Sequence, residues 1–205
     1  SNYFVYINQM KRLLLAPLLV LSLSGCSTSN LEGRKIVSGS MLPNLQHDDR
    51  VLVDKNAYLN IEPKRGDIIA YNSPFRFDKS YLSLRTTPLP SIEECSRGAK
   101  DRACDVYIKR VVAISGDQIL VTAKGEVYLN SSLIKEPYVS TYCRNEWSCK
   151  KDLTLKVPTN HVFVLGDNRD NSFDSRYWPN YFLPVEQITG KVIKIVWPIE
   201  REVEF

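Results

Sequence analysis

The chain has 205 residues, 43% of them hydrophobic and 24% charged, with a net charge of +4. That is enough for one folded domain, or for one domain carrying a sizeable insertion. The mild positive charge is scattered rather than clustered, which excludes the basic footprint of a nucleic-acid binder.

Residues 1–9 contain no Met, and Met10 opens a conventional targeting pattern. Lys11 and Arg12 precede an apolar run from Leu13 to Leu23, broken by Pro17 and Ser22 and followed by Gly25-Cys26. A spanning helix needs about 20 apolar residues, so this run suits the core of a signal peptide. Its L-S-G-C ending resembles a bacterial lipoprotein signal with Cys26 as the lipidated residue. A short anchor that is never cut is the alternative. Either way the basic flank stays cytoplasmic, and everything after Cys26 lies outside the cytoplasm. A polar tether continues to about Gly33. Residues 1–30 therefore read as the signal or anchor segment with its tether, and 31–205 as the folded domain.

Short β-branched-rich runs follow at Val51–Val53, Asp67–Tyr71, Tyr107–Ile114, Gln118–Thr122, Glu126–Asn130, His161–Leu165 and Lys191–Trp197. Turns are marked by Arg65-Gly66-Asp67, Ser115-Gly116-Asp117, Lys124-Gly125 and Gly166-Asp167-Asn168. Helical periodicity is nearly absent beyond the N-terminus, so the body is predicted to be mainly β, as an antiparallel barrel or two packed sheets. Residues 74–105 and 131–157 look like loop excursions. Each holds a cysteine pair, Cys95 with Cys104 and Cys143 with Cys149, that can close a local disulfide in an oxidising compartment. No C-x-x-C occurs, which sets zinc aside.

The chemistry rests on three runs. Ser40 sits in S-G-S-M-L-P, and a serine hydroxyl needs a nearby base before it can attack. The two histidines fit poorly: His47 lies in an acidic turn, and His161 opens a predicted strand. A lysine serves if burial lowers its pKa from about 10.4 toward the working pH. Lys109 is suited to this, because in a strand it shares a face with Tyr107 and Val111, while Ile108, Arg110 and Val112 share the other. A solvated Lys109-Arg110 pair on an open sheet face is the competing reading. Ser38 can join the Ser40 N–H in an oxyanion hole. The run from Gly166 to Arg176 holds Asp167, Arg169, Asp170, Asp174 and Arg176, which can form an internal ion-pair lattice. Ser172 or Ser175 can then fix the direction of the lysine amine.

In this order the runs resemble type I signal peptidases over about Ile36 to Trp197. S-G-S-M-L-P is similar to the nucleophile box, Lys64-Arg65-Gly66-Asp67 to the second box, Tyr107–Asp117 to the lysine box and Gly166–Arg176 to the last. The resemblance implies a mainly β fold of antiparallel sheets with a small inserted subdomain at about 118–157, and no metal or cofactor. It implies Ser40 as nucleophile, Lys109 as general base, Ser38 in the oxyanion hole and Ser172 orienting the lysine, with Asp167, Asp174 and Arg176 as support. Ile36, Met41, Leu45, Tyr107 and Ile108 would line shallow pockets that accept small side chains. Partners would be signal peptides of exported preproteins and membrane lipid, with the catalytic domain on the periplasmic side of the cytoplasmic membrane. The short targeting segment, the short stretch from Gln118 to Leu165 and the extra Cys95/Cys104 pair depart from the family pattern. They suit a specialised member, such as a conjugative-transfer peptidase with one dedicated substrate.

Two other readings compete with a signal-peptide endopeptidase. A self-cleaving Ser/Lys repressor would need a DNA-binding domain, which an exported chain does not offer. A catalytically silent envelope lipoprotein that binds exported peptides would keep Lys109 far from Ser40.

Overall fold

The computed structural model describes residues 30–74, 76–77, 84–85, 105–144 and 151–205. Its strands in chain order are β1 (Leu31–Lys35), β2 (Arg50–Asp54), β3 (Ile68–Asn72), β4 (Arg76–Phe77), β5 (Leu84–Arg85), β6 (Val106–Ile114) and β7 (Gln118–Val121). They continue as β8 (Val127–Leu129), β9 (Ser132–Leu133), β10 (Leu153–Lys156), β11 (His161–Leu165), β12 (Leu183–Pro184), β13 (Ile188–Trp197) and β14 (Val203–Glu204). The predicted runs all appear as strands. β1 replaces the end of the expected tether, and β9 and β10 arise inside a stretch read as loop. β9 is two residues long and β1 is a polar strand with one partner, while β10 alternates as Leu-Thr-Leu-Lys over only four residues.

The large sheet runs β1-β2-β13-β3-β6-β11-β12, with β14 added to β13, and all its neighbours are antiparallel. Residues 118–156 contribute a separate four-stranded sheet, β10-β7-β8-β9. Strand β6 lies near the middle of the large sheet, and its central residues Lys109 to Ala113 are buried on both faces. Its even-numbered Ile108 packs against Ile36, Met41, Leu45, Ile68 and Ala70. Its odd-numbered Tyr107 and Val111 pack with Ile69, Tyr71, Val164 and Trp178. The alternation read from the sequence thus separates two cores. Val112 and Ala113 meet a third, shared with Ile119, Val121, Val127 and Phe163, where the small sheet joins the large one.

Two local devices set the ends of the site. The Lys64–Asp67 turn places Gly66 at φ +94°, a left-handed backbone that disfavours side chains. The Asp67 carboxylate accepts from Lys64 N at 2.8 Å and so closes the turn. Farther along, the β11–β6 register shifts between Phe163 and Val164, and the Val164 N–H is satisfied by Ser175 Oγ at 3.0 Å. That bulge delivers the Gly166–Arg176 loop to the end of β6.

Among the described residues no helix is long and apolar enough to cross a membrane. The expected targeting segment and Cys26 lie outside the described residues, as do Cys95, Cys104 and Cys149. Cys143 is disulfide-bonded.

Candidate functional site

Ser40 sits in the loop from β1 to β2, and Lys109 sits in the interior of β6. Lys109 Nζ donates to Ser40 Oγ at 2.8 Å and to the Ile108 carbonyl at 3.0 Å. Both residues are buried, at 9% and 4% exposure, so the solvated-pair reading of Lys109-Arg110 is overturned. Across the sheet Lys109 pairs with Ile69, and Tyr107 with Tyr71. Burial in these apolar and aromatic walls drives the amine pKa down to about 8, against the pull of Asp174 and Asp167 toward the charged form. A lysine so placed is half neutral at a mildly alkaline pH. It can take a proton from the hydroxyl it touches.

Neither histidine substitutes for it. His47 pairs with Asp48 on the surface, and His161 Nδ1 lies 2.8 Å from the Thr159 carbonyl.

Ser38 Oγ lies 3.3 Å from Ser40 Oγ, so its hydroxyl reaches the reacting centre. Among the described residues the Ser40 N–H has no acceptor. Beside them a cleft of about 60 Å³ is lined by Lys35–Ser38, Ser40, Met41 and Val106–Ile108. Pockets for drug-sized ligands occupy roughly 300–1,000 Å³, so this one suits a methyl-sized group. Of the five residues expected to line it, Ile36, Met41, Tyr107 and Ile108 do so. Leu45 does not: it is fully buried in the core beneath the loop, where its N–H bonds the Met41 carbonyl.

The expected internal ion lattice is corrected. Asp174 and Arg176 pair within the run, at 2.8 and 2.9 Å. Asp167 instead takes a bidentate pair from Arg110 at 2.8 and 2.7 Å, and Arg110 lies 4.2 Å over the Tyr138 ring. Arg169 reaches Glu136 in the neighbouring segment through two bonds, at 2.9 and 2.5 Å. Asp170 meets Arg144. Asp167, Arg169 and Asp170 thus reach out of the run, to Arg110 on β6 and to the segments that hold Glu136 and Arg144. For Asp174 burial alone would raise the carboxyl, but the Arg176 charge and the Gly166 N–H outweigh it and hold the group below the usual carboxylate range.

Ser172 does not orient the lysine as expected. Its Oγ is buried without a hydrogen bond, and Lys109 donates elsewhere. It packs instead against Gly166, where an added methyl would overlap the Ser172 hydroxyl and the Ser40 carbonyl oxygen.

Three further contributors are not singled out by the sequence: Asn44 and Arg201 lie outside the runs read for chemistry, and Asn168, inside the last run, reads only as part of a turn. Asn44 Nδ2 donates to Asp167 and to the Tyr138 carbonyl, tying the Ser40 loop to the Arg110 pair. Arg201, near the C-terminus, holds Asp49 with two 2.9 Å bonds and the Asn44 carbonyl at 3.1 Å. Asn168 holds the carbonyls of Gly39 and Ser40. Each acts over a long sequence separation, where no motif spacing records it.

The buried Arg169–Glu136 pair gives a stability prediction. Both side chains are almost wholly excluded from water, so Glu136→Ala leaves a guanidinium buried without its counter-charge. The expected loss is about 3–5 kcal/mol, read in urea unfolding. Replacing both with apolar residues of similar volume should cost much less. Equal losses in the two proteins would show that the pair is not the cause.

The family model described as signal peptidase, peptidase S26, matches residues 7–197. The chain is 33% identical over 177 residues to a probable signal peptidase I-2 from Synechocystis, covering 86% of this chain and 68% of that protein. It is 34% identical over 167 residues to thylakoidal processing peptidase 1 of Arabidopsis thaliana, covering 82% of this chain and 42% of that one. A crystal structure of a signal peptidase I from Enterococcus faecalis matches at 26% identity with a TM-score of 0.42, over 64% of this chain and 97% of that one.

Proposed function

The chain belongs to the signal peptidase family, peptidase S26, a serine endopeptidase that removes signal peptides, and we propose that it does so with Ser40 as nucleophile and Lys109 as general base. The single observation that carries the reading is the 2.8 Å bond from Lys109 Nζ to Ser40 Oγ in a buried setting. Such proximity also counts against a silent binding protein.

A signal peptide lies extended in the cleft beside Lys35–Ser38 and Val106–Ile108, offering main-chain groups to the backbone on either side. The small cleft accepts the side chain before the scissile bond only if that residue is small. Neutral Lys109 takes the Ser40 proton as Oγ attacks the carbonyl carbon. The oxyanion is met by the Ser40 N–H and the Ser38 hydroxyl. Lys109, now protonated, gives its proton to the leaving amine, and water releases the acyl-enzyme by the same route. Asp174 with Arg176, and Asp167 with Arg110, hold the walls around the lysine. No residue here is needed to bind a metal or cofactor. The targeting segment of residues 1–30 attaches the enzyme to membrane lipid, with the catalytic domain facing outward from the cytoplasm.

The test is cleavage of a preprotein in detergent by wild type and by Ser40→Ala. Wild type is expected to cut once, after a small residue, and the variant to show no cutting above background. Cutting retained in the variant, or cutting after bulky residues, would remove Ser40 and the cleft from the account.

A further inference from the structure

Resting on the Ser40/Lys109 reading, we propose that Asn168 is a positioning residue that aims the Ser40 backbone N–H at the developing oxyanion. Asn168 touches neither the hydroxyl nor the lysine. Its side-chain Nδ2 donates to the Gly39 carbonyl at 3.1 Å, and its backbone N–H donates to the Ser40 carbonyl at 3.1 Å. The two carbonyls that flank the nucleophile are therefore both held by one residue from the opposite loop.

The consequence follows from peptide geometry. The Gly39–Ser40 bond is trans, so its C=O and N–H point in opposite directions across one rigid plane. Asn168 draws the Gly39 oxygen toward the Gly166 loop, and the Ser40 N–H is turned the other way. There it has no acceptor among the described residues. The Leu42 N–H also donates to the Gly39 oxygen, at the longer distance of 3.3 Å. With two donors the oxygen is saturated, and rotating the plane would break both bonds at once. Such a rotation would also bring a carbonyl dipole where the N–H should be, and that dipole repels a negative oxygen. A donor fixed before the reaction costs no reorganisation when charge develops, which is the source of its catalytic worth.

Asn168 is itself fixed. Its residue bridges to Thr141, and the next residue's N–H, that of Arg169, donates to the Thr141 carbonyl at 3.0 Å. The Asn168 carbonyl closes its own turn by accepting from Asn171 N at 3.1 Å. Substituting the side chain thus removes one bond, to Gly39, and leaves the backbone bond to Ser40 in place.

The experiment compares wild type, Asn168→Ala and Asn168→Asp in three readouts. The first is kcat and KM for the cleaved preprotein. The second is the affinity of a peptide aldehyde ending in alaninal. Ser40 Oγ adds to its carbonyl carbon, the π pair moves to oxygen, and the Ser40 proton passes to Lys109. The third is the affinity of the matching peptide alcohol, which has the same side chains and forms no such bond. Both variants are expected to lose about 10–100-fold in kcat and in aldehyde affinity. KM and alcohol affinity should stay within about twofold, and the acid limb of the rate profile should not move in the alanine variant. The added carboxylate of Asn168→Asp, like Asp174 and Asp167, favours the charged amine, so its acid limb is not used. Unchanged kcat and aldehyde affinity in folded variants would overturn the proposal. So would equal weakening of aldehyde and alcohol, or a displaced acid limb in Asn168→Ala, since each marks a general distortion. Asn168→Asp matches the native volume and decides the matter if the alanine variant does not fold; failure of both to fold would make Asn168 a structural strut and end the proposal. A wild type that neither cuts nor binds the aldehyde would instead sink the Ser40/Lys109 reading.

Discussion

Lys109→Met is expected to lose cleavage and gain stability. Methionine has nearly the length of the lysine stem and takes the same buried position opposite Ile69. It cannot take a proton, so kcat/KM should fall by about 10³-fold or more. The stability gain follows from linkage. The folded enzyme holds the lysine at about 8, well below its ordinary value. At neutral pH the amine is protonated in both folded and unfolded chains, and burying that charge costs the folded state roughly 3 kcal/mol. Methionine escapes this cost, though the bond to Ser40 Oγ is lost, so a net gain of about 1–3 kcal/mol is expected near pH 7. The sign reverses the usual carboxylate case: the gain is full below pH 8 and fades as pH rises through 8 toward the unfolded lysine value. Urea unfolding at pH 7 and at pH 10 checks it, and a variant less stable than wild type at pH 7 contradicts it. The same neutral amine predicts that wild-type kcat/KM falls about tenfold per pH unit below 8. A flat profile down to pH 6 would mean that Lys109 is not the base.

Gly166→Ala should be nearly as damaging, although it adds one carbon and removes no functional group. Gly166 is buried at the end of β11, and a methyl there would sit 2.5 Å from Ser172 Cβ and closer still to the Ser40 carbonyl oxygen. The Ser172 hydroxyl can turn away, while its Cβ moves only with the backbone. The Ser40 oxygen cannot move without its peptide, because the Asn168 N–H holds it. The nucleophile must therefore shift away from Lys109, and a displacement of about 1 Å is worth roughly 10²-fold in rate. A stability loss of about 1–3 kcal/mol should accompany it. Gly166→Ala combined with Ser172→Gly removes both contacts with the Ser172 side chain and keeps the one with the Ser40 oxygen. Little recovery of kcat/KM is expected, and full recovery would shift the blame from the Ser40 backbone to Ser172.

Much of this architecture is readable in the chain because alternation in a strand is a local property. The face shared by Tyr107, Lys109 and Val111 follows from spacing two residues apart, and the structure packs Tyr107 and Val111 in one core. Gly66 and Ser115-Gly116-Asp117 mark their turns by residue type alone. The resemblance carried by their runs picks out Ser40 and Lys109 as the proposed nucleophile and base, without knowledge of the space between them.

What the order of residues could not specify is which distant groups meet. Asp167 finds Arg110 because β6 pairs with β11, and Arg169 finds Glu136 because the segment after β9 of the small sheet lies beside the loop, rather than either finding a partner in its own run. Leu45 leaves the cleft for the core because the β1–β2 loop folds over Ile36 and Met41. Ser172 meets Gly166 instead of the lysine, and Asn168 and Arg201 join the site across the fold. Local periodicity is set by neighbouring backbone geometry and is therefore written in the chain. Charge pairing, burial and the direction of a peptide plane depend on which surfaces are packed together, and only the assembled sheets decide that.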